Sequence, residues 1–186
     1  MNQILQNSLI RQPRPTFQTS LARGENWSHL PWLVDKLKSF FPDYAGMTVI
    51  EHRRNSEWAQ AAGIDALITL RSSKTLSIDV KLRSSAYPDV LLEVVSNVER
   101  GKPGWIEKDL AMDYLAYGIE PTQTLYLFPF LQLQRAWRMN KADWIRTYGL
   151  KTTSTGGWGG KPLYTTQFCS VPVDVLKAAA GETLKA

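Results

Sequence analysis

Residues 64–83, with the sequence IDALITLRSSKTLSIDVKLR, constrain the fold of this chain most strongly. Apolar and polar side chains alternate in both halves of the segment, and a polar turn around residues 72–74 separates them. This alternation predicts a β-hairpin, because successive residues of a strand point to opposite faces. The second strand would have one face made of Leu76, Ile78, Val80 and Leu82, and the other made of Ser77, Asp79, Lys81 and Arg83.

Periodicity and turn signals predict further elements on both sides of the hairpin. We expect helices over residues 28–41, 55–63, 105–118, 141–149 and 173–181, and strands over residues 47–54, 89–96 and 124–133. Residues 151–166 contain four glycines without a clear period, which predicts a glycine-rich loop. This order of elements indicates an α/β fold with a mixed sheet flanked by helices.

Composition limits the class of protein further. The 186 residues are 44% hydrophobic, which is enough for one core, so we expect an N-terminal arm over residues 1–24 and a single domain over residues 25–186. A single cysteine, Cys169, and two histidines exclude an internal disulfide framework and a zinc cluster of thiolates or several histidines. The sequence has neither a long apolar run nor a secretory signal pattern, so we expect an intracellular, cytoplasmic protein with no membrane partner.

The net charge of +5 is unevenly distributed. Residues 131–170 carry six basic side chains against one acidic side chain, interleaved with Trp137, Trp144, Tyr148 and Trp158. Cations neutralise phosphates and aromatic rings stack on bases, so this stretch is compatible with nucleic-acid binding. A solvated helix face combined with aromatic residues of the core would give the same pattern, and the charges alone do not decide between the two interpretations.

The hairpin also brings together residues that carry chemistry. Asp79 and Lys81 project from the same face of the second strand, and pairing with the first strand brings Asp65 within about 5 Å of them. Two carboxylates at this separation repel each other unless a cation lies between them. A hard divalent ion such as Mg²⁺ takes one or two carboxylates together with water and phosphate oxygens, so the pattern predicts a metal-dependent phosphoryl site.

Asp65 in GID, together with Asp79 and Lys81 in IDVKLR, resembles the motif of the PD-(D/E)XK nuclease superfamily. Over a longer run of about residues 28–137, the chain looks like a branch of uncharacterised nucleases from bacteria and phages. The resemblance implies a restriction-endonuclease-like core, in which a helix and a three-stranded antiparallel meander are followed by a crossover helix and a further strand. In this chain Ile64 stands at the position of the motif's proline, and that proline has no chemical role.

By this resemblance, Asp65 and Asp79 would bind Mg²⁺, with Mn²⁺ as a substitute, and the Val80 carbonyl would be a further ligand. Lys81 would be the catalytic lysine that orients or activates the attacking water. The family often adds an acid from the helix before the meander, and Glu51, Glu57 and Gln60 are the candidates for that role.

Glu93 interrupts the apolar run VLLEVV, where an unpaired carboxylate would be costly. The residue could be a metal ligand or a partner of Lys81, or it could form a structural salt bridge with Arg83. Both alternatives stay open at this point. For contacts with the nucleic-acid backbone and bases, the sequence offers Arg83, Arg135, Arg138, Trp158 and Lys161.

The expected function is metal-dependent hydrolysis of DNA phosphodiester bonds by an endonuclease. With one site per chain, cleavage of both strands would call for a homodimer. One alternative is a non-catalytic nucleic-acid-binding or assembly protein that retains the nuclease fold. Another is a nuclease acting on RNA or on branched DNA.

Overall fold

A computed structural model describes residues 27–50, 57–156, 162–181 and 184–185. Four α-helices lie in these ranges: α1 (Pro31–Ser39), α2 (Glu57–Ala62), α3 (Phe130–Tyr148) and α4 (Val173–Ala180). The strands are β1 (Tyr44–Val49), β2 (Ala66–Leu70), β3 (Thr75–Arg83), β4 (Asp89–Asn97), β5 (Lys102–Pro103), β6 (Tyr114–Ile119), β7 (Thr124–Pro129), β8 (Leu150–Gly156), β9 (Pro162–Pro172) and β10 (Leu184–Lys185). Among the helices that the structure describes, none combines the length and the apolar character needed to cross a membrane.

The strands form two sheets. The main sheet is mixed and has the order β1-β2-β3-β6-β7-β10, in which β3 and β6 are parallel and the other neighbours are antiparallel. The second sheet has the order β5-β4-β9-β8 and is antiparallel. The α/β class is therefore confirmed, as a mixed sheet and an antiparallel sheet combined with helices.

Two hydrophobic clusters cover opposite faces of the main sheet. Helix α1 packs on one face through Leu33 and Leu37. Gly118 on β6 permits this close approach, since a Cβ atom there would lie 2.8 Å from the Leu82 side chain and 3.2 Å from the Leu33 side chain. On the other face, residues of the second sheet, α3 and α4 form the larger cluster. Strand β3 is consequently covered on both faces, and its polar face lies towards the second sheet.

The start of the parallel β3–β6 pair is fixed by Ser77 and Asp113. The Ser77 N–H donates to Asp113 Oδ2 at 2.7 Å, and the Ser77 hydroxyl lies 2.8 Å from the same oxygen. The Asp113 N–H in turn lies 3.0 Å from Ser77 Oγ. These bonds set the register in which Asp79 pairs with Leu115 and Lys81 pairs with Tyr117.

The hairpin is confirmed, with Ala66 opposite Ile78 and Thr69 opposite Thr75. Ser73 adopts a positive φ of 65° in its turn. The predicted helices over residues 28–41, 55–63 and 173–181 are also present, as α1, α2 and α4. The strand predicted over residues 47–54 is present as Tyr44–Val49, and residues 51–56 lie outside the described ranges.

The predicted crossover helix over residues 105–118 is wrong. Residues Trp105–Glu107 form a 3₁₀ turn and Tyr114–Ile119 form the parallel strand β6. Strand β6 is buried on both faces, so its side chains form a continuous apolar run instead of alternating, and such a run is easily mistaken for a helix.

The antiparallel meander is present, but it consists of other strands than predicted. Strands β1, β2 and β3 form it, whereas residues 89–96 belong to β4 in the second sheet. Strands β4 and β5 and the 3₁₀ turn lie between β3 and β6 in the chain, where the prediction had a strand over residues 89–96, present as β4, followed by a helix. The C-terminal half also differs from the prediction, since the strand expected over residues 124–133 ends at Pro129 and a single helix, α3, covers residues 130–148.

The glycine-rich loop expected over residues 151–166 is wrong for most of its length. Strands β8 and β9 pair from Leu150 opposite Cys169 to Gly156 opposite Pro162. Residues 151–154 are exposed, so no apolar face reveals the strand, although threonine favours extended structure.

Replacing Ser77 by alanine tests the Ser77–Asp113 connection. We expect S77A to lower the free energy of unfolding by about 1–3 kcal/mol, because Asp113 loses hydrogen-bond partners in a partly buried position. The midpoint of urea unfolding measures this loss. The matched control is S72A, since the Ser72 hydroxyl is exposed and lies 3.4 Å from Asp43 Oδ2. Equal midpoints for the two variants would contradict the assigned role of Ser77.

Candidate active site

Asp65 lies directly before β2, where the main chain enters the β2–β3 ladder. Its N–H donates to the Ile78 carbonyl at 2.8 Å. Its carboxylate Oδ2 accepts from the Val80 N–H at 2.9 Å. In a continued ladder the Val80 N–H would donate to a main-chain carbonyl of β2, and here the Asp65 carboxylate accepts this hydrogen bond instead. Because the N–H and C=O of one strand residue point to the same edge, the Val80 carbonyl also points to the β2 edge of β3, on which Asp65 lies.

Asp79 and Lys81 project from the face of β3 that lies towards the second sheet. The Lys81 Nζ is 2.9 Å from Asp79 Oδ1 and 2.8 Å from Asp79 Oδ2. The side chain of Asp79 is 5% exposed and that of Lys81 is 38% exposed. The carboxylate of this ion pair is therefore buried, whereas the lysine side chain is partly exposed in the space between the two sheets.

The three side chains form one electrostatic unit. Burial raises the pKa of Asp79 from 3.8 to about 6; the Lys81 charge opposes this shift and the Asp65 carboxylate adds to it. Burial also works against the charge of Lys81, but the carboxylates of Asp79 and Asp65 outweigh it and raise the lysine pKa. In this arrangement Lys81 is a cation and a hydrogen-bond donor at neutral pH, so it is suited to orienting a water or a phosphate oxygen rather than to removing a proton.

Glu93 approaches Lys81 from the second sheet. Burial raises the pKa of Glu93, while the charges of Lys81 and Lys108 and the Trp105 N–H lower it. The pairing of β4 with β9 shifts register between Glu93 and Val95. Gly104 packs so closely that a Cβ atom would lie 2.0 Å from the Glu93 carbonyl oxygen. A bulge next to a close main-chain contact therefore holds Glu93 in place.

The structure bears on one of the alternatives left open for Glu93, the salt bridge with Arg83. Arg83 pairs with Asp89, since its Nε lies 2.8 Å from Asp89 Oδ1. Asp89 also accepts a hydrogen bond from Ser170 on β9, so Arg83, Asp89 and Ser170 connect the two sheets. Glu93 shares its electrostatic environment with Lys81 instead.

The donor set around Asp65 and Asp79 fits a hard divalent cation. Two carboxylates and a main-chain carbonyl are oxygen ligands, and Mg²⁺ needs only one or two carboxylates from the protein. Within the described ranges no group of three acidic, histidine or cysteine side chains is placed to hold a metal ion. Glu57 and Gln60 are exposed on α2, and Glu51 lies outside the described residues.

The residues predicted to contact nucleic acid are scattered. Arg83 is engaged with Asp89, and Arg138 forms an exposed ion pair with Asp109. Arg135 is exposed on α3. Trp158 and Lys161 lie outside the described residues.

The aromatic residues among the basic side chains belong to the core. Trp137 and Trp144 are buried with their ring centroids 6.2 Å apart. Of the two interpretations of the charge pattern, the structure supports core packing for these two tryptophans.

A cavity of about 270 Å³ opens beside Lys81. Lys81 and Tyr117 of the main sheet line one side, and Glu93, Thr166 and Phe168 of the second sheet line the other. Sequence reasoning missed Tyr117 because it placed this residue in a helix, and it missed Thr166 because it placed that residue in a loop. Had residues 114–119 been read as a strand, Tyr117 would have fallen on the same face as Leu115.

Comparison of the chain with protein-family models, curated proteins and solved structures gives no match. A functional assignment therefore depends on the geometry of the chain's own residues.

The raised pKa of Asp79 predicts a dependence of stability on pH. Between pH 3.8 and about 6 the folded state binds a proton at Asp79 that the unfolded state has released. The free energy of unfolding therefore falls as the pH rises through this interval, by an amount on the order of 3 kcal/mol for this group. Urea unfolding in EDTA from pH 4 to pH 6.5 measures the effect.

The control is D79N, which cannot titrate at this position. We expect the wild type to lose more stability than D79N over the same pH interval. Parallel pH profiles for the two proteins would show that Asp79 does not carry a raised pKa.

Proposed function

We propose that this protein is a Mg²⁺-dependent nuclease that hydrolyses phosphodiester bonds of DNA at Asp65, Asp79 and Lys81. The observation that carries the proposal is that two carboxylates and one amine lie close together at the open end of the β2–β3 hairpin. The amine lies within 2.9 Å of both carboxylate oxygens of Asp79, and Asp65 raises the pKa of Asp79. Such a group binds a cation and a phosphate side by side.

The carboxylates of Asp65 and Asp79, with the carbonyl of Val80, would hold the metal ion. When bound, Mg²⁺ supplies a Lewis acid that polarises the phosphoryl group and favours attack by water. A cation at this position also relieves the repulsion between the two carboxylates, which favours its binding.

The protein residues have distinct roles in this proposal. The Val80 N–H orients the Asp65 carboxylate through its 2.9 Å hydrogen bond. Lys81 turns from Asp79 towards the substrate, where its ammonium group donates to a nonbridging phosphate oxygen or orients the attacking water. Because the Lys81 side chain is partly exposed, it has room to turn towards the space between the two sheets.

Glu93 places a carboxylate near Lys81 from β4 of the second sheet. Electrostatic attraction between Glu93 and Lys81 contributes to the raised pKa of the lysine. Glu93 would therefore support the charged form of Lys81 when Asp79 holds the metal ion. This is a role in positioning and charge, and it needs no contact between Glu93 and the metal ion.

A non-catalytic nucleic-acid-binding protein is the second candidate function. The observation that favours it is the close ion pair itself, because Lys81 neutralises Asp79 without a metal ion. In that case Mg²⁺ would neither bind at Asp65 and Asp79 nor lead to cleavage, while DNA would still bind.

Substitution of the site tests the proposed activity. We expect D79N to lose Mg²⁺ binding and DNA cleavage, because a neutral amide replaces a metal-binding carboxylate. We expect K81M to retain Mg²⁺ binding but to cleave at least about a hundredfold more slowly, since the water or phosphate loses its orienting cation. Isothermal titration calorimetry with Mg²⁺ and cleavage of plasmid and single-stranded DNA measure these effects.

The matched controls are D109N and K38M. The Asp109 side chain is 90% exposed beside Arg138, and the Lys38 side chain is 44% exposed beside Asp35. Both controls should cleave at the wild-type rate. Full cleavage by D79N or by K81M would reject the proposed site, and DNA binding without Mg²⁺ binding in the wild type would favour the non-catalytic alternative.

A further inference from the structure

The cavity beside Lys81 has a composition that the proposed metal site does not require. It is walled by the rings of Trp105, Tyr117 and Phe168, and Thr153 and Thr166 add hydroxyl groups. Aromatic walls with a few polar groups are typical of sites for small planar ligands. At about 270 Å³ the cavity lies below the range of about 300–1,000 Å³ that is usual for drug-sized ligands. It therefore takes a single planar group and not a base pair.

Lys81 connects the cavity to the carboxylate pair. Its side chain lines the cavity, and its Nζ lies against the carboxylate of Asp79. A phosphate bound at the carboxylate end of Lys81 would thus carry its attached nucleoside directly into the cavity. The two sites adjoin through one side chain, so one nucleotide unit can occupy both.

The charges of the cavity fix the direction in which a nucleotide enters. Glu93 lies in the wall opposite Lys81, and a carboxylate there repels a phosphate. The same carboxylate accepts hydrogen bonds from the amino groups of bases. The Thr166 hydroxyl donates to the Ser96 carbonyl at 3.2 Å, which leaves its oxygen free to accept from a base N–H. The phosphate therefore belongs at Lys81 and the base belongs at Glu93.

We propose that this cavity receives one unpaired base of the DNA strand being cut, so that the substrate is single-stranded DNA. This inference rests on the proposed nuclease function and specifies its substrate class. A base inside a duplex is stacked and paired, and it must leave the stack before it can enter a cavity between two sheets. A single strand needs no such step, so it reaches the site more readily than a duplex does.

The first test compares one oligonucleotide as a single strand, as a blunt duplex and as the RNA of the same sequence, all with Mg²⁺. We expect the single DNA strand to be cleaved at least about tenfold faster than the duplex, which is within the range that stacking of one base on aromatic side chains supports. Equal or faster cleavage of the duplex would overturn the inference. Faster cleavage of the RNA would overturn the assignment of DNA as the substrate.

The second test fills the cavity with T153W. Thr153 is exposed on β8, so the larger ring can be accommodated without disturbing the core, and it occupies the space of the base. The control is T152W, because Thr152 is also exposed but points to the opposite face of the strand. We expect T153W to cleave single-stranded DNA at least about tenfold more slowly than T152W, with equal urea midpoints and equal Mg²⁺ binding.

The third test removes the base from the substrate. In a single strand with one stable abasic position, the wild type should cleave next to that position about tenfold more slowly than next to a normal nucleotide, and T153W should not distinguish the two. Equal rates for the wild type at both positions would overturn the inference while leaving the nuclease function intact.

The inference can also be tested if the wild type cleaves no DNA at all, which would reject the proposed function alone. Fluorescence anisotropy then measures binding of a labelled single strand in EDTA. A loss of affinity of at least about tenfold in T153W relative to T152W supports a base in the cavity, and equal affinities overturn it.

Discussion

The carboxylate of Asp79 is buried between two sheets, where an unpaired charge would be strongly unfavourable. Lys81 lies two residues further along the same strand and places its amine against both carboxylate oxygens. The parallel pairing of β3 with β6 keeps both side chains on the face towards the second sheet. Asp65, Glu93 and the cavity all lie beside this buried pair.

Local patterns predicted the hairpin correctly because its signals lie within twenty consecutive residues. The alternation from Leu76 to Leu82 and the turn near Ser73 need no information from distant parts of the chain. Strand β6 lacked such a signal, because burial on both faces removes the alternation that identifies a strand. Ser77 and Asp113 determine where β6 begins, yet they are 36 residues apart in the sequence. No window of local periodicity can detect that pairing.

The candidate site was predictable to a similar extent. The spacing of Asp79 and Lys81, and the pairing that brings Asp65 near them, follow from the geometry of a hairpin. The partner of Arg83 did not follow, because Asp89 reaches it only once β4 has left the main sheet. The cavity was also beyond prediction, since residues from β3, β6, β4, β8 and β9 line it together. Contacts within one hairpin were accessible from the sequence, whereas contacts between the two sheets were not.

Metal-dependent cleavage at this site requires that Lys81 and a divalent cation share the carboxylates of Asp65 and Asp79. Anomalous X-ray diffraction from crystals soaked in Mn²⁺ examines this requirement most directly. We expect an anomalous peak at about 2.0–2.3 Å from oxygens of both carboxylates, with the Lys81 amine withdrawn from at least one oxygen of Asp79. An occupied Asp79–Lys81 ion pair with no peak beside Asp65 would contradict it.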